Sequence, residues 1–433
     1  MVSTDIIIIG AGPGGYRAAE YAAKQGLKVT IFEGDNVGGT CLNVGCIPTK
    51  TYVHSASFAE ARERMAQVVP QLRSGVDGIL SHPNITLVRE KASFVNHGDC
   101  PCDSSEAKIK GTVPVIVAGN ETYSAKNIII ATGSETKWLP IEGANDPCVV
   151  DSTGLLNLDT LPKRLCIIGA GVIGMEFASV FRRFGSEVTV IEYLKECIPA
   201  LDSDVAKRLR KLLEKRGITF HMKTAVQSLK DIDADVILMA TGRKPRTEGL
   251  NLEALGITLA RNGAIPVDDN FRVATVPAGY PAGLYAIGDV NGRQMLAHAA
   301  EMQAVRAVNH ILGQQDGIRF DIRPAAIFTE PEAACVGPTE DQLKEQGIAY
   351  ECRKSFWRAN GKALAMGEAE GMLKLFVATD DEHLLGCHAY GAHSADIVQE
   401  VAALMCRDTT ITQLRDIIHI HPTLGEILKA ATE

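Results

Sequence analysis

The sequence predicts an α/β protein made of two similar βαβ units followed by a separate α+β domain. The two units are predicted because a glycine-rich segment that opens a helix occurs twice, each time between two apolar, strand-like runs. The last domain is predicted because strand-like runs alternate with short helical stretches beyond Arg323. The chain has 433 residues, a length typical of about three domains.

The first unit begins with the apolar run Ile6–Ile9, which leads into a G-x-G-x-x-G pattern, and the second unit repeats this arrangement after Leu165. The glycines of the pattern are Gly10, Gly12 and Gly15 in the first unit and Gly169, Gly171 and Gly174 in the second. In a Rossmann unit the first glycine allows a tight turn, the second lets the backbone approach a pyrophosphate, and the third allows close packing of helix on strand. The helix N-terminus then offers free N–H groups to the phosphates. We therefore predict two Rossmann-like dinucleotide-binding domains.

Two further repeats favour the same interpretation. Glu33 follows Gly10 by 23 residues and Glu192 follows Gly169 by 23 residues, which is the place for a carboxylate that binds a ribose diol. An Ala-Thr-Gly element also recurs, at Ala131, Thr132 and Gly133 and again at Ala240, Thr241 and Gly242. Glu192 would repel a 2′-phosphate, and no arginine follows it closely, so we expect NAD rather than NADP at the second site.

The C-terminal region contains both strand and helix signals. Leu373–Ala378 and Leu384–Tyr390 are strand-like, and Thr339–Gln342 has the capping-box pattern that opens a helix. Ala395–Arg407 is predicted to form a helix whose apolar face packs on the domain or on an interface. In the second unit, Ser203–Arg216 is predicted to be an amphipathic helix.

Composition excludes several functional classes. The 44 Lys and Arg against 52 Asp and Glu give a net charge of −8, which argues against a nucleic-acid-binding protein. The longest apolar runs, Ile6–Ile9 and Val236–Ala240, are far shorter than the roughly 20 residues of a membrane span. The N-terminus lacks the features of a signal peptide, and an odd count of 11 cysteines does not suggest a secreted disulfide framework. We therefore expect a cytoplasmic enzyme with mostly reduced thiols.

Of the 11 cysteines, Cys41 and Cys46 are the best candidates for a redox-active pair. On an ideal helix their Cα atoms would lie about 8.7 Å apart, beyond the roughly 7 Å that a disulfide spans. A bond between them requires a distorted turn, which Gly45 and Pro48 make plausible. A helix N-terminus would also lower the pKa of such a thiol. Spacing alone leaves open the alternative that both are small core residues.

The residues around this pair, Gly38–Lys50, resemble the redox-active segment of the flavoprotein disulfide oxidoreductases, which are the class I pyridine nucleotide-disulfide oxidoreductases. The residue sequence of this segment is most similar to that of dihydrolipoamide dehydrogenases, and the resemblance covers nearly the whole chain. It implies FAD at the first site, NAD at the second and a C-terminal dimerisation domain. The expected divisions are FAD-binding residues 1–145 and 267–320, NAD-binding residues 146–266 and a dimerisation domain over residues 321–433.

The resemblance also implies cofactor-binding residues. Those expected to hold FAD are Gly10, Gly12, Gly14, Gly15, Glu33, Gly39, Thr40, Lys50, Ala131, Thr132, Gly133, Asp289, Leu296, Ala297 and His298. Those expected to hold NAD are Gly169, Gly171, Gly174, Glu192 and Gly242. No resident metal is expected.

The catalytic roles implied by the resemblance divide between two thiols, a base and an ion pair. Cys41 exchanges with the substrate dithiol and Cys46 faces the flavin, while His421 acts as general base from the partner subunit. Glu426 orients that histidine and stabilises its charged form. Lys50 lies near the flavin and pairs with Glu176.

The function that the resemblance implies is FAD-dependent oxidation of dihydrolipoamide to lipoamide with NAD⁺, by a homodimer. Its partner would be the lipoyl-bearing acyltransferase of a 2-oxoacid dehydrogenase complex or the lipoyl protein of glycine cleavage. One alternative is a related NADH-dependent flavoprotein reductase of another disulfide or electrophile. Another is a docking component with vestigial chemistry, against which the intact redox motif argues.

Three segments depart from the family pattern. The region from about Tyr52 to Pro83 and the region between His221 and Asp235 both look short, which concerns substrate access and docking more than redox chemistry. The third segment contains His97, Cys100 and Cys102 in a polar stretch. It could be a metal or redox site or merely a loop with two exposed thiols, and it lacks an obvious fourth zinc ligand.

Overall fold

A computed structural model describes residues 1–95, 115–275 and 283–433 of the chain. The stretch with His97, Cys100 and Cys102 lies outside these residues, so the alternatives for it stay open. The described chain forms two compact units. The first consists of Met1–Thr51, Arg62–Lys137 and Arg243–Ile318, and the second of Tyr52–Ala61, Trp138–Gly242 and Arg319–Glu433.

The strands, in chain order, are β1 Val2–Ile9, β2 Val29–Phe32, β3 Ile85–Val88, β4 Ala92–Val95, β5 Val115–Ala118, β6 Glu121–Ile130, β7 Ser134–Thr136, β8 Val149–Val150, β9 Arg164–Ile168, β10 Glu187–Ile191, β11 Ile218–His221, β12 Val236–Met239, β13 Arg243–Pro245, β14 Gly283–Ala286, β15 Ala325–Ile327, β16 Ala333–Val336, β17 Tyr350–Phe356, β18 Met372–Ala378 and β19 Leu384–Tyr390.

The α-helices are α1 Pro13–Lys24, α2 Gly39–Val44, α3 Cys46–Val53, α4 Phe58–Leu80, α5 Ser152–Leu156, α6 Val172–Phe184, α7 Ser203–Lys215, α8 Ala297–Ile311, α9 Glu340–Glu345, α10 Gly361–Met366, α11 Ser394–Met405, α12 Ile411–Arg415 and α13 Glu426–Ala430. Short 3₁₀ segments occur at Leu252–Leu255, Gly288–Asn291 and Trp357–Ala359. We refer to α3 as the redox helix, because Cys46 is its first residue.

The first unit is built on a sheet of order β3-β2-β1-β6-β5-β4. Strands β1, β2, β3 and β6 run parallel, and the long β6 pairs antiparallel with β5 in its first half and parallel with β14 in its second. Ile6–Ile9 on β1 are buried because this strand lies in the middle of the sheet, as its uninterrupted apolar run predicts. The C-terminal ends of β1, β2, β6 and β14 therefore meet at one edge of the sheet.

The second unit contains a parallel sheet of order β11-β10-β9-β12-β8. Helix α6 follows β9, and α7 leads from β10 to β11, as in a doubly wound unit. Helix α7 is amphipathic and buries Val205, Leu209 and Leu213, while Asp202 caps its N-terminus by accepting a hydrogen bond from the Asp204 N–H at 3.2 Å. The helix predicted over Ser203–Arg216 is thus confirmed to within one residue.

The second unit also contains an antiparallel sheet of order β15-β16-β19-β18-β17. Helix α11 packs against it, and their shared core includes Trp357, Leu373 and Val401. The predicted capping box at Thr339 forms with both of its hydrogen bonds. A second box, at Thr410, opens α12 and was not among the sequence predictions.

The architecture confirms the predicted α/β class with two Rossmann-like units and a C-terminal α+β domain. The boundaries predicted for the domains remain predictions. None of the helices in the described part of the chain combines the length and apolar character that crossing a membrane requires.

Candidate active site

The first glycine loop lies where β1 ends, at the edge formed by the parallel strands. Gly10 has φ +102°, and a Cβ there would stand 2.5 Å from the carbonyl oxygen of Ala131, the residue that follows β6. A Cβ on Gly15 would overlap the carbonyl of Gly10. Only glycine fits at these positions, so the Ala-Thr-Gly element and the loop form one tightly packed cradle.

Glu33, at the end of β2, closes the other side of this cradle. Its carboxylate accepts hydrogen bonds from the N–H of Ala11 at 2.8 Å and from the N–H of Asp35 at 2.9 Å. Burial raises the pKa of Glu33, and the two N–H donors oppose this only in part. The carboxylate thus lies against the loop, where it can also accept hydrogen bonds from a ribose diol.

Two further predicted contacts lie in the same unit. Asp289 follows β14 and accepts a hydrogen bond from the Ser134 hydroxyl at 2.5 Å, and burial raises the pKa of this aspartate. Helix α8 begins at Ala297, just after Leu296, and packs against α1 where Gly14 faces Ala300. His298 lies in the first turn of α8.

The redox segment is fixed directly onto the first glycine loop. The N–H of Gly38 donates to the carbonyl of Ala11 at 2.8 Å, and Gly39 approaches Gly12 so closely that a Cβ on Gly39 would stand 2.7 Å from the Gly12 Cα. Thr40 and Cys41 continue from there along α2. The structure therefore brings the first dinucleotide loop and the thiol segment together in one unit.

The turn between the two cysteines is distorted, as their spacing predicts. Helix α2 ends at Val44, and the redox helix begins at Cys46, with Gly45 between them at φ −135° and ψ −113°. A Cβ on Gly45 would stand 2.9 Å from the Thr40 carbonyl oxygen, so a side chain there would push the two helices apart. The break lets two cysteines five residues apart come together.

Cys41 and Cys46 are thiols here and are hydrogen-bonded to each other as a reduced pair. The hydrogen bond to Cys46 raises the pKa of Cys41, burial raises it further, and the nearby Lys50 opposes both. The expected lowering of this thiol pKa by a helix N-terminus is therefore wrong for Cys41 in the reduced pair. The cause is local, because the hydrogen bond to the partner thiol and burial together outweigh the positive charge of Lys50.

The second glycine loop repeats the first in detail. Gly169 has φ +105°, and a Cβ there would stand 2.5 Å from the carbonyl oxygen of Ala240. Glu192 accepts hydrogen bonds from the N–H of Ala170 at 2.6 Å and from the N–H of Leu194 at 2.7 Å. The duplicated sequence therefore produces two cradles with the same contacts, one in each unit.

Glu176 lies on α6, one turn beyond the second glycine loop, and is buried. Its carboxylate accepts a hydrogen bond from the Phe328 N–H at 2.9 Å. This is a contact within the second unit, and the pairing of Glu176 with Lys50 remains a prediction.

His421 and Glu426 form a hydrogen-bonded pair near the C-terminus. The His421 Nδ1 lies 3.0 Å and 3.2 Å from the two carboxylate oxygens of Glu426, which also accepts a hydrogen bond from the Thr423 N–H. The hydrogen bond to His421 is the largest effect that lowers the pKa of Glu426. The carboxylate thus fixes the imidazole and leaves its Nε2 available for proton transfer.

The surroundings of this pair resemble an uncovered interface. The His421 side chain is 79% exposed, and the apolar residues Ile418 and Ile420 are 95% and 78% exposed. By contrast, the side chain of the neighbouring His419 is only 6% exposed, with its Nε2 3.2 Å from a Glu400 carboxylate oxygen. Exposed apolar side chains of this size mark contact surfaces.

Tyr16, which the sequence interpretation did not single out, lies close enough to Cys41 for the two groups to interact electrostatically. The Tyr16 hydroxyl donates to Glu301 at 3.4 Å, and burial, Glu301 and Cys41 together raise the pKa of Tyr16 to about 12. Tyr16 follows the first glycine loop directly, but a tyrosine in the first turn of a helix carries no local signal. Tyr16 therefore places a neutral phenol near Cys41.

Both cradles fit the cofactors that the sequence predicts. Each leaves room only for backbone at the first and third glycines of its pattern and ends in a carboxylate bound to its own loop. The residues that would hold FAD lie in the first unit and those that would hold NAD in the second. The described ranges contain no cluster of three or more histidine, cysteine or acidic residues able to bind a metal.

Comparison with known proteins supports this interpretation of the two sites. Residues 4–304 match the family model described as pyridine nucleotide-disulphide oxidoreductase, and residues 323–432 match its dimerisation domain. The chain is 36% identical to "Dihydrolipoyl dehydrogenase 3" of Pseudomonas putida, covering 100% of this chain and 98% of that one. It is 35% identical to "Leghemoglobin reductase" of Glycine max, covering 99% and 86%. Among solved structures, the HOCl-induced flavoprotein disulfide reductase RclA of Escherichia coli has a TM-score of 0.87 at 31% identity, covering 98% of each chain.

Proposed function

The chain belongs to the pyridine nucleotide-disulphide oxidoreductase family, and we propose that it oxidises dihydrolipoamide to lipoamide with NAD⁺ as the final electron acceptor. The observation that carries this proposal is the contact of the thiol segment with the first glycine loop, through Gly38, Gly39 and Gly12. FAD and NAD are the cofactors. The match to the dimerisation domain supports a homodimer.

The proposed reaction begins with the Cys41–Cys46 pair as a disulfide. The partner subunit's His421 takes a proton from one thiol of dihydrolipoamide, and the resulting thiolate attacks the sulfur of Cys41. The Cys41–Cys46 bond breaks and Cys46 leaves as a thiolate. The second substrate thiol then attacks the substrate sulfur of the mixed disulfide, the bond from that sulfur to Cys41 breaks, and the proton of this thiol passes to the departing Cys41 sulfur, so that lipoamide leaves and Cys41 is reduced to a thiol.

The two electrons of the substrate then reside on Cys41 and Cys46. FAD, when bound, supplies the two-electron chemistry that links these thiols to the nicotinamide of NAD. Glu426 holds the imidazole of His421 in one orientation and stabilises its positive charge between the two proton transfers. Lys50 provides positive charge beside the pair, and Glu192 favours NAD over NADP.

The direct test measures NADH formation by the purified flavoprotein with dihydrolipoamide and either NAD⁺ or NADP⁺. We expect turnover with NAD⁺ and its loss in Cys41→Ser, while NADH-driven reduction of ferricyanide persists because that reaction needs only the flavin. Cys406→Ser is the matched control, since this exposed thiol lies outside the site. Unchanged lipoamide turnover in Cys41→Ser, or turnover no faster with NAD⁺ than with NADP⁺, would overturn the proposal.

A second candidate is an NADH-dependent flavoprotein reductase of another disulfide or electrophile. The similarity to RclA, over 98% of each chain, favours it. In that case the wild-type protein would consume NADH with an alternative disulfide and would not oxidise dihydrolipoamide. If lipoamide is the substrate, the natural partner would be a lipoyl-bearing acyltransferase or the lipoyl protein of glycine cleavage.

A further inference from the structure

Arg183 holds the C-terminal end of the redox helix. This residue lies in the last turn of α6, and its Nη2 donates hydrogen bonds to the carbonyls of Tyr52 at 3.0 Å, Val53 at 2.6 Å and Ser55 at 3.1 Å. Its Nη1 donates to the Glu330 carboxylate at 3.0 Å. One guanidinium therefore joins the last two carbonyl groups of the helix and the nearby Ser55 carbonyl to an acidic side chain.

Arg183 adds donors at the end of a short helix, where the Tyr52 carbonyl also accepts a hydrogen bond from the Ser55 N–H at 3.2 Å. The last four carbonyls of an α-helix lack intrahelical donors, and the redox helix has only eight residues, too few to be stable by itself. Arg183 supplies donors to the final two, Tyr52 and Val53. Its positive charge also lies at the negative end of the helix dipole.

The same end of the helix is anchored by a buried ring. Tyr52 is 0% exposed, its hydroxyl donates to the Leu156 carbonyl at 3.1 Å, and its ring packs with Phe58, Phe181 and Phe184. Phe181 and Phe184 belong to α6, as Arg183 does. Helix α6 thus holds the end of the redox helix through both an apolar and a charged contact.

The contacts continue along one face of α6. Glu176 and Ser179 lie on the same face as Arg183, at i, i+3 and i+7. Glu176 accepts from the Phe328 N–H, and the Ser179 hydroxyl accepts from the Glu330 N–H at 3.0 Å. The helix that begins at the second glycine loop therefore carries a continuous row of polar anchors that ends at Arg183.

We propose that Arg183 is a positioning residue for the redox pair: by fixing the C-terminal end of the redox helix it sets the placement of Lys50, in the last turn, and of Cys46, the first residue. A helix transmits displacement along its axis because its backbone is hydrogen-bonded turn by turn. Arg183 contacts the helix end and acts on the thiols only through it. The inference rests on the proposed function in taking Cys41 and Cys46 as the redox centre.

The test compares Arg183→Gln with Arg182→Gln in the holoenzyme. Arg182 is the matched control, because it lies in the same helical turn but donates to the carbonyls of Arg216 and Ser186. Three measurements are made on each: dihydrolipoamide turnover with NAD⁺, NADH-driven ferricyanide reduction, and the long-wavelength thiolate–flavin absorbance after reduction by NADH. The alkylation rate of the reduced thiols by iodoacetamide is a fourth measurement, independent of turnover.

In Arg183→Gln we expect lipoamide turnover to fall roughly ten- to hundredfold, as misplacement of a reacting group by about 1 Å does. The thiolate–flavin absorbance should weaken and alkylation should accelerate, while ferricyanide reduction stays at the wild-type level. Arg182→Gln should match wild type throughout. Equal values for the two variants, or a parallel loss of all activities in Arg183→Gln, would overturn the proposal.

If Arg183→Gln does not fold, the same measurements are made on Arg183→Lys. Lysine keeps the charge but cannot bind three carbonyls with a rigid fork, so the same losses are expected to a smaller degree. Wild-type values in folded Arg183→Lys would overturn the proposal. If lipoamide proves not to be the substrate, turnover is absent already in the wild type, whereas absorbance and alkylation still report on Arg183.

Discussion

Replacing Lys374 with methionine tests the importance of a buried ion pair in the second unit. The Lys374 ammonium lies 2.7 Å from the Asp202 carboxylate and 2.6 Å from the Glu340 carboxylate, and its side chain is 1% exposed. Asp202 is equally buried and also accepts a hydrogen bond from the Glu340 N–H. This cluster joins the cap of α7 to β18 of the antiparallel sheet.

The expected loss follows from the burial of Asp202. Methionine fills the space of the lysine stem but leaves the carboxylate without its cation, and breaking a buried pair in this way costs about 3–5 kcal/mol. Lys344 provides a matched control, because it pairs with the same Glu340 at 3.0 Å but is 60% exposed. An exposed pair contributes about 0–1 kcal/mol, so Lys344→Met should change the free energy of unfolding little.

The assay is urea unfolding followed by tryptophan fluorescence. The chain has two tryptophans, and Trp357 is fully buried in the core beside β18. In a Trp138→Phe background, Trp357 alone reports unfolding of this unit. We expect Lys374→Met to lower the midpoint with an unchanged urea dependence, and a shift no larger than that of Lys344→Met would refute the reasoning.

The ion pair between Lys374 and Glu340 also predicts how the free energy of unfolding changes with pH. The hydrogen bond from Lys374 is the largest of the effects that lower the pKa of Glu340 to about 2, from an ordinary value of 4.5. A carboxylate with a lowered pKa stabilises the folded state above its unfolded pKa, and this contribution is lost as the pH falls through the window from 4.5 to about 2. The stability difference between wild type and Lys374→Met should therefore narrow in that window, and a constant difference would contradict the assignment.

Two further predictions concern the catalytic and cofactor sites. Glu426→Gln should lower dihydrolipoamide turnover by roughly 10²–10⁴-fold, because His421 loses the carboxylate that orients it. Ferricyanide reduction by NADH should stay unchanged. A loss in both assays would contradict this role of Glu426. Glu192→Gln should reduce the preference for NAD⁺ over NADP⁺, measured as the ratio of kcat/KM values, by about tenfold, or about 1.4 kcal/mol. Glu187 lies at the exposed start of β10, the strand that Glu192 follows, and Glu187→Gln should leave that ratio unchanged.

The features that could be predicted from sequence are those set by local sterics. The two glycine loops are recognisable because a Cβ on Gly10 or Gly169 would collide with the carbonyl that follows the neighbouring strand. The Gly45 break is foreseeable for a similar reason, since two cysteines five residues apart cannot meet on a regular helix. The capping box at Thr410 has the same Thr-x-x-Gln pattern as the one at Thr339, so it too could have been found.

The features that could not be predicted depend on residues far apart in the chain. Lys374 meets Asp202 across 172 positions, and Arg183 meets Tyr52 across 131. Neither arginine nor lysine carries a local signal of its partner, because each is equally suited to a solvated helix face. The raised pKa of Cys41 is likewise a product of a second thiol and of tertiary burial, neither of which its own helix position reveals.

The His421–Glu426 pair is partly predictable from the sequence and partly dependent on residues far away in the chain or on another chain. Its residues could be singled out from the sequence only through the family resemblance, and the structure joins them by a local hydrogen bond. Its proposed place in the reaction could not be read from one chain, which leaves the imidazole exposed beside Ile418 and Ile420. An exposed apolar surface of this kind is stabilised when another chain covers it. The match to the dimerisation domain supports such a second chain, and the proposed role of His421 as a base then depends on the association of two chains.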